Sequence, residues 1–272
     1  LHAEEGTDYD AVLRPGPEDP LRTLQEPTGI FAFPKGAKAG HFLHEVFEHL
    51  DFCDRSPSSR QDLVREKLVQ YGYDPSWLEI VCDMVDKVLR VPLDPEKKDF
   101  CLSGVAKESR VNGLGLKVTL KRMDPDTVGR ILARGDLRRE APETMGRLSF
   151  MPVRGFMKGF MDMVFRFGER FYLVDWKSNF LGPTVEDYGP QSLERAMEEN
   201  YYTLQYTFYT LALHQYLKLR IRRYDYDRDF GGVFYVFLRG VDPGKGPEFG
   251  VFRCRPPREL IETLTEELMG VA

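Results

Sequence analysis

The chain has 272 residues, of which 42% are hydrophobic, 12% aromatic and 30% charged. That size and balance suit one large α/β domain or two small ones and exclude a disordered tail or a fibrous repeat. The net charge of −5 is accounted for by residues 1–28, with seven acids and two bases, so the remaining body is neutral and has room for a local basic surface.

In chain order, residues 1–28 are rich in Pro, Gly and acids, lack periodicity, and read as a linker or arm, with the chain expected to be a fragment of a longer protein. Residues 29–272 are expected to form one domain, with a helical part at about 40–91 and a core at about 98–272. From Gly40 the spacing of Leu43, Val46, Phe47 and Leu50 marks one helical stripe. Further helices are expected at about 60–71 and 75–91, then a strand near 114–121 and a short helix near 125–134. Two β-rich runs flank Gly168-Glu169, and Glu194 to Lys218 reads as a long helix or helix pair. Strands at 232–238 and 249–254 and a helix at 257–269 complete an α/β chain. The longest apolar runs, such as Val233 to Leu238, fall far short of the roughly 20 residues of a bilayer span, and the acidic start lacks a signal-peptide layout. A cytoplasmic location without membrane contact is expected.

Cys53, Cys82, Cys101 and Cys254 stand at least 19 residues apart, which disfavours zinc ribbons and an Fe–S cluster held by closely spaced thiolates. Reduced thiols in the cytosol are the plain expectation.

The informative stretch runs from Gly155 to Asn179. If Gly168-Glu169 forms a two-residue turn, Phe167 pairs with Arg170, and the same register sets Asp162 directly opposite Asp175. Alternation then puts Phe160, Asp162, Val164, Leu173, Asp175 and Lys177 on one face, with Met161, Met163, Phe165, Val174 and Trp176 on the other. Two carboxylates and an ammonium on a mostly apolar hairpin are costly unless compensated, and a divalent cation would compensate them. An Asp followed on the next strand by Asp-x-Lys suits metal-assisted hydrolysis of a phosphodiester, with hard oxygen ligands for Mg2+ and a lysine beside the attacking water. A structural ion-pair cluster or a solvated face would give the same bare spacing.

The run from about Phe150 to Asp242 contains GFMKGFMDMVF, FYLVDWKSNFLG, YYTLQYTFYTLALHQYL and YDYDRDFGGVFYVFLRGVD. It closely resembles the C-terminal nuclease domain of the RecB family, the exodeoxyribonuclease V beta subunits, in the PD-(D/E)xK restriction-endonuclease-like superfamily. GHFLHEVFEHLDF at 40–52 extends the resemblance more weakly, so that it covers most of the chain after the linker.

The resemblance implies a restriction-endonuclease-like core, a central mixed β-sheet flanked by helices. It implies that Asp162 and Asp175 bind metal, Lys177 is catalytic, the backbone carbonyl of Trp176 is a further ligand, and His44 completes the shell. Gln205 and Tyr209 match a QxxxY pair; at i, i+4 they share a helical face, where they could hydrogen-bond a DNA phosphate or the lysine. A core histidine and an aromatic packing stripe are the plain alternatives for His44 and for that pair. The expected cofactor is Mg2+, with Mn2+ as a substitute, and no nucleotide, since GxxxxGK[ST] is absent. Relatives carry acids on the strand before the metal hairpin, whereas this chain has Gly113 and Gly115, which leaves a supporting acid missing.

Around the hairpin, Arg154 and Lys158 belong to a net-positive stretch, and Lys218 and Arg220 to a second basic cluster. Either could follow a phosphate backbone or be a solvated face. No groove-reading motif is present, which fits single-stranded DNA bound without sequence preference. The implied partners are RecC-like and RecD-like subunits, RecA recombinase and a helicase part of the same polypeptide. The rival reading is a catalytically weak or silent docking module for RecA and partner subunits. Asp175→Ala is expected to abolish cleavage while folding is unharmed, because repulsion from Asp162 is relieved. His44, needed neutral as a ligand, should make activity fall below a pH of roughly 6.5.

Overall fold

The computed structural model describes residues 26–119 and 156–269; the linker up to residue 25, the helix expected near 125–134 and Arg154 lie outside the described residues.

The first helices form where apolar spacing and end signals agree. Helix α1 (Ala37–His49) buries Ala39, Phe42, Leu43, Val46 and Phe47 on one stripe, and Leu50 just beyond it is also buried. Helix α2 (Pro57–Gln70) starts on a proline in its first turn, where the missing N–H costs nothing. Before α3 (Leu78–Arg90), the Asp74 side chain accepts from the Ser76 N–H at the head of a 3-10 turn. Helix α3 buries Val81, Cys82, Met84, Val85, Val88 and Leu89. Burial pushes the Cys82 thiol up to about 11, which makes it an inert packing residue.

Strands β1 (Pro92–Asp94) and β2 (Lys97–Cys101) form a small antiparallel pair. The main sheet holds β3 (Arg110–Thr119), β4 (Phe156–Phe167), β5 (Arg170–Lys177), β6 (Phe230–Phe237) and β7 (Val251–Cys254), ordered β3-β4-β5-β6-β7. All neighbours are antiparallel except β5 and β6, which run parallel. The parallel pair needs a long crossover, supplied by α4 (Pro190–Glu199) and α5 (Tyr202–Arg220). Of the long helix or helix pair expected here the structure has the pair, divided where Tyr201 takes a left-handed conformation, φ 57. Helices α6 (Tyr226–Asp229) and α7 (Arg258–Leu264) follow, α7 running on as a π-turn over Thr265–Met269.

Two apolar layers cover the sheet. Helices α1 to α3 pack on the face that presents Met163, Phe165, Tyr172, Val174, Trp176, Phe234 and Val236, with the Trp176 ring stacked 4.6 Å from Phe47. Helices α4, α5 and α7 cover the opposite face, with Met161, Val164, Leu173, Val233, Tyr235 and Phe237. The mixed sheet between helical layers is a restriction-endonuclease-like core, as expected.

The β4–β5 register is the one that a Gly168-Glu169 turn demands: Phe167 pairs with Arg170 and Met163 with Val174. One pair earlier the ladder stops. Met161 and Met163 lie on opposite faces of the sheet, in different apolar layers, although alternation places them together. The strand therefore reverses its facing at Asp162. On β3 the residues paired to the two methionines are Leu114 and Asn112, and between them Gly113 takes φ +60, a conformation that disfavours other residues. Asp162 and Asp175 thus do not form a regular cross-strand pair, and Phe160 does not share a face with Val164. The glycine at 113, expected to mark a missing acid, is the residue that lets this kink form.

Arg239, just past β6, is 2% exposed and donates to four main-chain oxygens: Ser178 O by Nε, Ile30 O and Phe33 O by Nη1, and Pro34 O by Nη2. It ties the segment entering α1 to the residue after Lys177.

His214 sits in the α5 core, its ring edge-on to Tyr224 and Tyr226. Burial, aided by the Lys218 charge, lowers its pKa to about 4. The unfolded chain therefore takes up the proton first as pH falls, and stability should decline between about 6.5 and 4. His214→Gln should flatten that part of a stability–pH curve measured by urea unfolding, and a curve of unchanged slope would show that His214 does not carry it.

Candidate active site

The site lies where β4 kinks against the end of β5, between α1 and α5. The kink turns the Asp162 carboxylate toward the neighbouring strand, where Oδ2 accepts the Trp176 N–H at 2.7 Å, taking the place of a backbone carbonyl in the interrupted ladder. Its other oxygen lies 3.3 Å from His44 Nδ1 on α1. Both side chains remain partly open, at 22% and 29% exposure.

Asp175 and Lys177 behave differently. They alternate onto the α5 face of β5 and are closed off, Lys177 at 0% exposure. Lys177 Nζ stands 2.7 Å from Asp175 Oδ2 in an ion pair that lacks the alignment of a hydrogen bond. It donates to Gln205 Oε1 at 3.3 Å and lies 3.8 Å from the centre of the Tyr202 ring. Gln205 Oε1 also accepts from the Tyr235 hydroxyl at 2.8 Å, and Gln205 Nε2 donates to Tyr209 Oη at 3.2 Å. Tyr202 in turn donates to Asn179 Oδ1 at 3.1 Å. A buried ammonium is thus enclosed by a carboxylate, an amide and two aromatic rings, which together offset its desolvation.

The structure brings together His44, Asp162, Asp175, Trp176, Lys177, Gln205 and Tyr209. Of the two roles open to the Gln205–Tyr209 pair, the contact seen is with the lysine. It does not join Lys218 and Arg220 to them. Lys218 and Arg220 are exposed at the far end of α5, about 20 Å along the helix from Gln205 at 1.5 Å per residue. Lys158 is placed on β4 opposite Lys117.

Tyr235, Tyr202, Asn179 and Arg239 belong to this neighbourhood and escaped the sequence reading. Only Tyr235 left a signal, a polar-tipped residue in step with Val233 and Phe237 on β6, and in the parallel register it is the direct partner of Asp175.

The donor types suit a hard divalent cation: two carboxylates, a main-chain carbonyl and one imidazole. Among the described residues no three His, Cys, Asp or Glu side chains converge closely enough to hold an ion as they stand, since Asp162 is turned to His44 and Asp175 to Lys177. Among the same residues no helix is long and apolar enough to cross a membrane.

No protein-family model matches the chain. It is 39% identical to the RecBCD enzyme subunit RecB of Escherichia coli over 91% of its own length, and 36% identical to the Haemophilus influenzae subunit over 87%. The RecB of Mycobacterium tuberculosis is 31% identical over 88% of the chain. In each case the matched segment is a fraction of the relative, 20%, 19% and 24% respectively, so the chain spans about a fifth of the length of these subunits. With the mixed sheet and the ordered motifs of residues 150–242 agreeing, the chain is a RecB homologue matching one segment of that subunit.

Proposed function

We propose that the chain is the nuclease part of a RecB-like helicase–nuclease and hydrolyses DNA phosphodiesters with Mg2+ during double-strand-break processing and recombination. The observation that carries this is the buried Asp175–Lys177 pair with its Gln205–Tyr209–Tyr235 network, set beside the half-open Asp162 and His44. A fully buried ion pair is seldom a gain in stability over apolar packing, so its cost points to chemistry.

His44, Asp162, Asp175 and the Trp176 carbonyl would hold the cation, which supplies Lewis acidity for attack on phosphorus. Asp162 is held in place by the Trp176 N–H. Lys177 is oriented by Gln205 and kept at the end of β5, where it can orient the attacking water and, as the neutral amine, accept the proton that water gives up. Gln205 and Tyr209 act through the lysine. Gln205→Leu should slow cleavage roughly 10- to 150-fold, the worth of about 1.5–3 kcal/mol for a hydrogen bond to a charged group. Tyr209→Phe, which removes the acceptor of the Gln205 amide, should cost less. Calorimetric Mg2+ affinity should be nearly unchanged in both, and a matching loss of affinity would move these residues into the metal shell.

The RecB relatives are named as subunits of the RecBCD enzyme. We carry over to this chain association with RecC-like and RecD-like subunits, a helicase part in the same polypeptide and docking of RecA. Incubation of the purified chain with labelled single-stranded DNA should give fragments with Mg2+ and none with EDTA. Intact DNA in both would favour the docking module.

A further inference from the structure

The inference concerns a further residue of the metal site, and it rests on the nuclease reading above. The end of α1 is fastened to β3 by side chains. Asn112 Nδ2 donates to the Glu48 carbonyl. Arg110, whose guanidinium lies 3.5 Å from the centre of the Phe52 ring, donates by Nη2 to the Leu50 carbonyl. The last carbonyls of a helix have no partners within it, so these two bonds fix the final turn of α1 over the start of β3. Glu48 belongs to that turn and is exposed. It follows His44 by four residues and so shares its face of the helix, with about 6 Å between their Cβ atoms.

Gly113 shows where the Glu48 carboxylate goes. It stands opposite Asp162, between the pairs Asn112–Met163 and Leu114–Met161. A Cβ at Gly115 would meet the Phe160 ring at 2.9 Å, whereas one at Gly113 would meet Glu48 Oε1 at 3.7 Å. Helix α1 thus reaches across two strands, with His44 set against Asp162 on β4 and Glu48 against the residue beside Asp162 on β3. A recess of about 310 Å3 opens next to Glu48, lined also by Asp51, Arg110 and Asn112, and it has the room and polarity that ordered water needs.

A hard cation such as Mg2+ takes one or two carboxylates and keeps several waters. Here Asp162 has one oxygen on the Trp176 N–H, and Asp175 faces Lys177, so protein oxygens are few and water makes up much of the shell. Groups that hold the outside of such a shell set metal affinity nearly as strongly as the ligands do. We propose that Glu48 is an outer anchor of the metal site. Its carboxylate accepts hydrogen bonds from the water shell of a divalent cation held at His44, Asp162 and Asp175, and adds a negative charge beside it.

The test is calorimetric titration of the full chain with Mg2+, without DNA, for wild type, Glu48→Gln, Glu48→Asp and Asp51→Asn. Glu48→Gln keeps the shape and removes the charge, and Kd should rise about 10- to 100-fold, the range for losing an outer partner of a metal site. Its urea midpoint without metal should match wild type, since the side chain is exposed, which separates a lost anchor from a damaged fold. Glu48→Asp keeps the charge on a shorter arm and should weaken Mg2+ binding by less. Asp51→Asn removes an equal charge from the same recess, just beyond α1, and should bind Mg2+ as wild type does. A wild-type chain that binds Mg2+ and cuts DNA, with Glu48→Gln binding as tightly or Asp51→Asn losing as much, overturns the anchor and leaves the nuclease reading standing. A wild-type chain that binds no Mg2+ and cuts no DNA overturns both.

Discussion

Asp175→Ala should both abolish DNA cleavage and lower the stability of the chain by about 3–5 kcal/mol, the cost of leaving one member of a buried ion pair without its partner. The sequence alone leads to the opposite expectation for stability, since a regular hairpin sets Asp175 against Asp162 and removing one acid relieves repulsion. The kink at Asp162 removes that repulsion already. Asp162 turns toward His44 and the Trp176 N–H, and Asp175 faces Lys177 at 2.7 Å. Truncating Asp175 therefore strands an ammonium of 0% exposure, which must lose its proton or draw in water. Lys177→Met should be comparably costly, because it strands the carboxylate. The combined Asp175→Ala, Lys177→Met variant should recover part of the loss, as removal of whole buried pairs does, while remaining inactive. Urea unfolding of the four proteins measures the coupling, and additive single effects would show that the two charges do not compensate each other.

The second large effect is expected at Arg239. Its guanidinium supplies donors to four carbonyls from two separate stretches, Ile30 to Pro34 and Ser178. Arg239→Met should leave several of these oxygens buried without a donor, at about 1–3 kcal/mol each before relaxation. The cheapest relaxation is release of the segment before α1 into water. Hydrogen exchange at residues 30–36 should accelerate in the variant more than in the α5 core, and Arg239→Lys should rescue little, because a single ammonium cannot reproduce the fork. Uniform acceleration across the chain would mean that Arg239 supports global stability and is not a local clamp.

The parts of the fold that the sequence foretold are those that depend on neighbours in the chain. A glycine turn between two apolar runs fixed the β4–β5 register, and the stripe of Leu43, Val46 and Phe47 fixed α1. Long-range pairing was not legible. The reversal at Asp162 requires that β3 lie beside β4 with Gly113 opposite, a contact between residues some fifty positions apart. The shared face of Asp175 and Lys177 was legible, being i and i+2 on one strand, whereas the turn of Asp162 away from them was not. The partners Tyr235 and Tyr202 are brought in by the parallel β5–β6 ladder and by α5; the alternation of β6 marks the face of Tyr235 but not its partner, and nothing local marks Tyr202. Gly113 and Gly115 illustrate the limit: from sequence they read as missing acids, whereas in the fold one permits the kink and the other makes room for an aromatic ring.

The most direct measurement is Mg2+-dependent cleavage of labelled single-stranded DNA by wild type and Asp162→Asn side by side. The amide has the shape of the carboxylate and can still accept the Trp176 N–H, so the variant should unfold within a few degrees of wild type, yet it lacks the charge a cation needs. A folded Asp162→Asn chain that no longer cuts is the predicted result. Cutting at close to the wild-type rate would place the chemistry elsewhere in the molecule.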